Sequence, residues 1–170
     1  MKTRDSWKQV LLLGVIVLSG CLSEEPPFKD NGSSGIVELN LAARTSATTY
    51  AIRKVSWGEE ESIVIPVEVN YTGAAGAPAE IEVKLSLAND AVAEFVAAQG
   101  YTLLPAASYE VPEVVSVRIA KGEKKAEYRI EVEKGLLESG VQYAIGVKIV
   151  SSSGGTVSGN YSTGVYVIVE

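Results

Sequence analysis

From Ile36 onward, apolar and polar residues alternate in short runs that are separated by turn sequences. Alternation places successive side chains on opposite faces of a strand, so that one face is buried and the other meets solvent. Glycine-rich turns such as GAAGAP (73–78) stand between the runs. The pattern predicts an all-β, immunoglobulin-like antiparallel β-sandwich. The runs lie at 62–70, 79–87, 114–119, 126–133, 141–150 and 164–170, with shorter patterns at 36–41 and 48–55.

Two of these runs depart from simple alternation. Pro66 lacks a backbone N–H, which predicts an edge strand or a bulge at 62–70. The run GVYVIVE (164–170) has apolar residues on both faces of the strand, which predicts a central strand.

The segment NDAVAEFVAAQG (89–100) has helical rather than strand periodicity. Asn89 or Asp90 is the candidate N-cap, Val92 and Val96 share one face, and Gly100 is the candidate stop. We predict one short helical insert at about 89–100 that closes one end of the sandwich.

The N-terminus has the layout of a secretory signal peptide. Basic residues at Lys2, Arg4 and Lys8 precede an apolar run from Val10 to Leu18, and small residues follow. The run is shorter than the roughly 20 residues that a membrane-spanning helix needs.

The residues that follow the apolar run, Leu18, Ser19, Gly20 and Cys21, resemble the bacterial lipobox. This resemblance implies cleavage before Cys21 and lipidation of Cys21, and several acyl chains on one residue suffice for stable anchoring. The alternative is a free or core cysteine.

The sequence after Cys21 contains Ser23, Glu24 and Glu25, which resemble the surface-export signal of Bacteroidota lipoproteins. The alternative is a solvated acidic tether. We therefore expect a signal peptide at 1–20, a lipidated flexible tether at 21–35 and a sandwich domain at 36–170.

Composition narrows the possible chemistry. The chain of 170 residues carries a net charge of −6, which argues against a nucleic-acid partner. It contains no histidine, the commonest general base and transition-metal ligand, and we expect no cofactor and no metal.

The glutamate pairs Glu80/Glu82 and Glu131/Glu133 each lie on one strand face, an arrangement that suggests glycoside hydrolysis. That reaction needs two carboxyl groups that face each other across a cleft. Because lysine or arginine alternates with these glutamates, solvated strand faces explain them better, and we expect no enzyme activity.

Exposed aromatic rings commonly bind sugars, because they supply a large contact area at little conformational cost. Trp57, Tyr71 and Tyr161 fall in turn-like sequence and are the candidate ligand contacts, provided that their loops share one end of the sandwich. The alternative for Trp57 is a ring folded under the sheet, and Tyr101 and Tyr109 are expected to pack beside the helix.

The helical segment and the residues after it carry a family resemblance. Asn89-Asp90, a helix with Phe95, Tyr101-Thr102-Leu103-Leu104-Pro105, Tyr109 and the turn at 119–123 resemble domain of unknown function 1735 of Bacteroidota lipoproteins. Two features depart from the family pattern, since Val96 stands where asparagine is frequent and the linker before Tyr101 is shortened.

The resemblance spans roughly 36–170 and implies a cell-surface immunoglobulin-like sandwich associated with glycan utilisation. It implies no catalytic residue. Family members often carry a further lectin-like or hydrolase domain, whereas this sequence ends at Glu170, where the first domain ends.

These observations lead to one functional hypothesis and one alternative. We expect an outer-membrane, surface-exposed lipoprotein that serves as a non-catalytic binding module for glycan or for a glycan-uptake complex. The alternative is a structural or adhesive surface protein that acts through protein–protein contacts.

Overall fold

The computed structural model describes residues 35–44 and 48–170, and this part of the chain contains ten strands and one α-helix. The predicted signal peptide (1–20), the lipobox, the export signal and the tether up to residue 34 lie outside the described residues. The elements are β1 (Ile36–Leu39), β2 (Ala51–Ser56), β3 (Ser62–Tyr71), β4 (Ile81–Leu87), α1 (Asn89–Ala98), β5 (Thr102–Leu103), β6 (Val115–Ile119), β7 (Lys125–Glu133), β8 (Tyr143–Ser152), β9 (Thr156–Val157) and β10 (Thr163–Val169).

The strands form two sheets. Sheet A has the order β7-β3-β1-β9, and sheet B has the order β2-β10-β8-β4-β6, with β5 paired to β8. Most neighbours are antiparallel, whereas β1–β9, β2–β10 and β5–β8 are parallel. The predicted all-β sandwich with one helical insert is therefore confirmed, with three parallel pairs that the alternation pattern did not predict.

The core between the sheets consists of the predicted inward positions. The apolar phase of each main strand is buried there, and the intervening charged residues face solvent. Each buried side chain of this size contributes about 1.5–3 kcal/mol through the hydrophobic effect. The predicted residues that are buried include Ile63, Ile65, Val67, Val69, Ile81, Val83, Leu85, Val115, Val117, Ile119, Ile130, Val132, Tyr143, Ile145, Val147 and Ile149.

Strand β10 is buried on both faces, as its unbroken apolar run predicted. Tyr166 and Ile168 belong to the core between the sheets. Val165 and Val167 face the other way and form a second apolar cluster with Val92 of α1. The strand lies between β2 and β8, so the predicted central position is confirmed.

The helix lies on the outer face of sheet B, and the prediction that it closes one end of the sandwich is wrong. Its apolar face packs on Ala144, Val165 and Val167, because these strand residues leave an apolar surface outside the main core. Phe95 contacts Tyr50 edge to face, with ring centroids 5.4 Å apart. Tyr101 packs against the same cluster, as predicted.

The start of α1 differs from the predicted capping arrangement. The N-cap residue is Ala88, and it makes no side-chain capping bond. The Asn89 side chain instead accepts a hydrogen bond from the Gly146 N–H (2.9 Å) and donates one to the Tyr109 hydroxyl (3.1 Å). Asn89 thus fastens the helix to β8, and the helix ends before Gly100, whose φ is +76°.

Pro66 occupies a place where β3 has a strand on one side only. Strand β7 pairs with β3 along its length, but β1 pairs only with residues 69–71. The Glu68 carbonyl accepts from the Asn40 N–H, so by alternation the nitrogen of Pro66 points to the side where β1 has ended. The missing N–H therefore costs no ladder hydrogen bond, although β3 itself is an interior strand.

Within residues 35–44 and 48–170, no helix is long and apolar enough to span a membrane.

Close approach of α1 to β8 depends on Gly146. A Cβ at this position would lie 2.6 Å from the Val92 Cγ2 and 2.9 Å from the Ala88 carbonyl oxygen. We predict that Gly146→Ala lowers the free energy of unfolding by about 1–3 kcal/mol, because the helix must move away from the sheet. Chemical denaturation measures this loss.

Gly159→Ala is the matched control, because a Cβ at Gly159 meets nothing within 4 Å and the residue is exposed. Equal stability of the two variants would contradict the packing of α1 on sheet B.

Candidate functional site

The N-terminal part of the domain passes from one sheet to the other. Strand β1 ends at Leu39 in sheet A, and β2 begins at Ala51 in sheet B. The Asn40 N–H still donates to the Glu68 carbonyl (2.9 Å), and the chain then leaves sheet A. We call residues 40–50 the crossover, although its residues 45–47 lie outside the described part.

A polar network joins the crossover to both sheets. Arg53 of β2 reaches Glu68 of β3, with 2.7 Å between the Arg53 Nη2 and the Glu68 Oε1. The other carboxylate oxygen accepts a hydrogen bond from the Asn40 side chain (2.8 Å) and lies 3.6 Å from the Lys125 Nζ. Arg53 also donates to the Asn40 carbonyl (3.4 Å). Asn40, the first crossover residue, is therefore hydrogen-bonded to a charged side chain from each sheet.

The network sets the ionisation of Glu68. The hydrogen bond from Asn40, and then the one from Arg53, lower the pKa of the Glu68 carboxyl against the opposing effect of its partial burial. The side chain is 20% exposed, so the pair lies between a surface and a buried ion pair. Glu68 is therefore a fixed carboxylate at neutral pH.

An open groove of about 690 Å³ lies over this network. Its size falls within the range of small-ligand sites. The lining combines charged, amide and apolar side chains. The lining residues are Asn40, Leu41, Ala42, Ile52, Arg53, Lys54, Glu68 and Lys125. We call it the crossover groove.

Tyr166 lies beside the network inside the sandwich. It pairs in register with Arg53, so both side chains leave the same face of sheet B. Its hydroxyl is fully buried and has no hydrogen-bond partner in the part of the chain that the structure describes. Burial raises the pKa of the phenol, which stays neutral, and the core next to the ion pair therefore carries no second charge.

Trp57 lies at the opposite end of β2 from the crossover. Its ring packs against the core and is partly buried, and the Lys134 Nζ lies 5.3 Å from the ring centroid. The same ammonium donates to the carbonyls of Gly58 (2.7 Å) and Glu60 (3.2 Å). The alternative of a ring folded onto the core thus describes Trp57 better than an open sugar-binding face.

Tyr71 and Tyr161 lie at the other end of the sandwich. Tyr71 is 5% exposed, and its hydroxyl accepts from the Gly35 N–H (3.1 Å), which leaves little surface for a ligand. The Tyr161 hydroxyl accepts from the Arg44 N–H (3.3 Å), and the Arg44 guanidinium lies 5.8 Å from the ring centroid. Tyr161 therefore supports the crossover.

The three aromatic residues do not form one surface. Trp57 hydrogen-bonds to Val169 at the end of β10, and Tyr161 precedes the start of this strand at Thr163. The seven residues of β10 separate the two by roughly 20 Å. The condition that their loops share one end of the sandwich is not met.

Sequence reasoning missed the residues that line the crossover groove. The signal was present in β2, where Ala51 and Val55 are inward positions and the residue between them is Arg53. An arginine in the inward phase of an edge strand needs a partner, because its charge cannot enter an apolar core alone. The partner, Glu68, lies on a different sheet and could not be identified from local sequence.

The glutamate pairs considered for catalysis lie on solvated surfaces. Glu80, Glu131 and Glu133 are exposed, and Glu80 lies 3.9 Å from Arg118 across neighbouring strands. Within the described ranges, no cluster of three or more histidine, cysteine, aspartate or glutamate residues could hold a metal ion.

Comparison with known proteins identifies the family. A family model described as "-like, N-terminal domain" matches residues 30–156, which is more than half of the chain. The chain belongs to this N-terminal domain family. A multidomain protein of Bacteroides ovatus that includes domain of unknown function 1735 shares the fold, with a TM-score of 0.57 and 13% identity over 78% of this chain and 44% of the other. The resemblance to that family is confirmed.

Other solved structures from Bacteroides ovatus have the same fold. A candidate carbohydrate-binding protein matches with a TM-score of 0.57 and 15% identity, over 79% of this chain and 36% of its own. A protein of unknown function matches with a TM-score of 0.58 and 14% identity, over 79% of this chain and 46% of its own. The chain thus spans less than half the length of these structures. No curated protein matches it.

The network predicts a pH-dependent contribution to stability. We expect Glu68→Gln to lower the free energy of unfolding by about 1–2 kcal/mol at neutral pH, because Arg53 loses its counter-charge. The folded-state pKa of Glu68 is lowered, so this contribution is present above the unfolded-state pKa and disappears as the pH falls through the folded-state pKa. Urea denaturation from about pH 7 to about pH 3 measures it.

The control is Glu131→Gln, which removes a carboxylate at an exposed position of β7. It should change stability by no more than about 0.5 kcal/mol at neutral pH. A stability difference between the wild type and Glu68→Gln that stayed constant with pH would contradict the ion pair.

Proposed function

We propose that the protein is a lipid-anchored surface module that binds glycan without catalysis, and that the crossover groove is its binding site. The observation that carries this proposal is the network of Asn40, Arg53 and Glu68 under an open groove of about 690 Å³. Groups fixed before binding lose little side-chain entropy when a ligand arrives.

The chemistry of the groove suits sugar hydroxyls. Guanidinium, carboxylate and amide groups are planar, and they donate and accept hydrogen bonds at fixed angles. Leu41 and Ile52 add apolar surface to the lining, against which the carbon face of a sugar ring can pack. A candidate carbohydrate-binding protein of the same fold supports the ligand class, although at 15% identity the two proteins share the fold alone.

The charge state of the groove favours binding over hydrolysis. A glycoside hydrolase needs two carboxyl groups, of which the general acid has a raised pKa. Glu68 is the one carboxylate among the lining residues described, and its pKa is lowered by Asn40 and Arg53. Its hydrogen bonds keep it ionised and suit it to accept bonds from hydroxyl groups.

The location follows from the N-terminal sequence. Leu18, Ser19, Gly20 and Cys21 supply the lipobox, and Ser23, Glu24 and Glu25 supply the export signal in this proposal. A lipid at Cys21 would hold the sandwich at the outer membrane through the tether at 21–35. The partners would be extracellular polysaccharide and an outer-membrane uptake complex.

Binding is tested with the chain from Ser23 onward, which keeps every described residue and the whole core. It is titrated against plant, host and microbial polysaccharides by isothermal calorimetry. We expect saturable binding to at least one polysaccharide, and a loss of about tenfold or more in Arg53→Ala, since a charged hydrogen-bonding group is removed from the groove.

The matched control is Arg118→Ala, at an exposed position of β6 outside the groove. Thermal unfolding of both variants confirms that they are folded at the titration temperature. Loss of binding in Trp57→Ala, with binding retained in Arg53→Ala, would move the site to the opposite end. Absence of all glycan binding, together with concentration-dependent self-association in sedimentation, would favour the structural or adhesive alternative.

A further inference from the structure

The crossover groove has the opposite charge to the protein as a whole. The chain carries a net charge of −6, whereas the groove lining contains three cationic side chains and one carboxylate. The cations are Arg53, Lys54 and Lys125, and the carboxylate is Glu68. A concave surface lined by one sign of charge concentrates counter-charged ligands.

One carboxylate cannot neutralise the three cations of the groove lining. Glu68 is shared between two of them, since its oxygens lie 2.7 Å from the Arg53 Nη2 and 3.6 Å from the Lys125 Nζ. The Lys54 side chain has no hydrogen-bond or ion-pair partner among the described residues and is exposed. The lining therefore keeps a net positive charge, and the Lys54 ammonium gives up no partner when it meets an anion.

The neighbouring carboxylate on β7, that of Glu127, is paired with an arginine. Glu127 lies opposite Glu68 in the register of β3 and β7. Its Oε1 accepts a hydrogen bond from the Arg129 Nε at 2.7 Å, which places a compensating charge beside it. Glu127 therefore does not cancel the net positive charge of the groove lining.

We infer that the crossover groove binds anionic glycans, in which carboxylate or sulfate groups meet Lys54 and Lys125 while sugar hydroxyls meet Arg53 and Glu68. This inference rests on the proposed function and names its ligand class. Glu68, held as a carboxylate, repels an anion placed directly over it, so the anionic groups lie toward the two lysines. Hydroxyl groups occupy the centre, where Glu68 and Asn40 accept and donate hydrogen bonds.

The test uses two matched pairs of polysaccharides, each with and without charge on one backbone. Polygalacturonate is compared with its methyl ester, and dextran sulfate with dextran, by calorimetry on the chain from Ser23 onward. We expect at least tenfold tighter binding of the charged member in one pair, and a decrease in affinity with added salt. The pair that responds distinguishes carboxylate from sulfate.

Two double variants locate the charge requirement. Lys54→Gln with Lys125→Gln removes the two lysine charges of the groove lining, and we expect about a tenfold loss of affinity for the charged polysaccharide. Lys84→Gln with Lys148→Gln makes the same change of net charge at exposed positions of β4 and β8, outside the groove, and should leave affinity within about twofold. The difference between the double variants separates a site from general attraction to a cationic surface.

Three results would overturn the inference. Equal affinity for the charged and neutral members would show that anionic groups are not recognised, while leaving glycan binding itself intact. Equal losses in the two double variants would show that the lysines at the groove contribute only through net charge. Absence of binding to every polysaccharide would overturn the proposed function together with this inference.

Discussion

The ion pair between Arg53 and Glu68 connects the two sheets at the point where the chain changes sheets. The crossover begins at Asn40, whose side chain donates to Glu68 and whose carbonyl accepts from Arg53. Without these contacts, the inward arginine of β2 would leave a charge beside the core, which is costly. The shape of the groove depends on the same contacts, because the residues that form them are part of its lining.

The second constraint is the helix on sheet B. Val165 and Val167 of β10 would be exposed if α1 did not cover them. The outer face of sheet B is therefore the surface on which the helix packs. Gly146 allows the helix to approach, and Asn89 fastens it to the strand. With the helix over β8 and β10, the polar network of Asn40, Arg53 and Glu68 lies apart from this packing, beside the edge strand β2.

Sequence reasoning succeeded where the local pattern carries the information. Alternation over eight or more residues identified β3, β7 and β8, because inward and outward positions differ in polarity along the whole strand. Strands β5 and β9 have two residues each, too few to show a period. The position of the helix was not predictable, because it depends on apolar residues in strands distant in sequence.

The candidate site could not be predicted from the sequence alone. Aromatic residues in turns suggested a shared surface, but Trp57 and Tyr161 lie at opposite ends of β10. The groove is formed by residues that are up to about eighty positions apart and lie on both sheets. The local sequence showed only Arg53 at an inward position of β2. The sheet topology was needed to identify Glu68 as its partner.

The most direct measurement is a backbone-amide NMR titration of the chain from Ser23 onward with a galacturonate oligosaccharide. We predict saturable shift changes that are largest at Asn40, Arg53 and Glu68, with small changes around Trp57. Saturable changes that are largest around Trp57, with small changes at Asn40, Arg53 and Glu68, would contradict the assignment of glycan binding to the crossover groove.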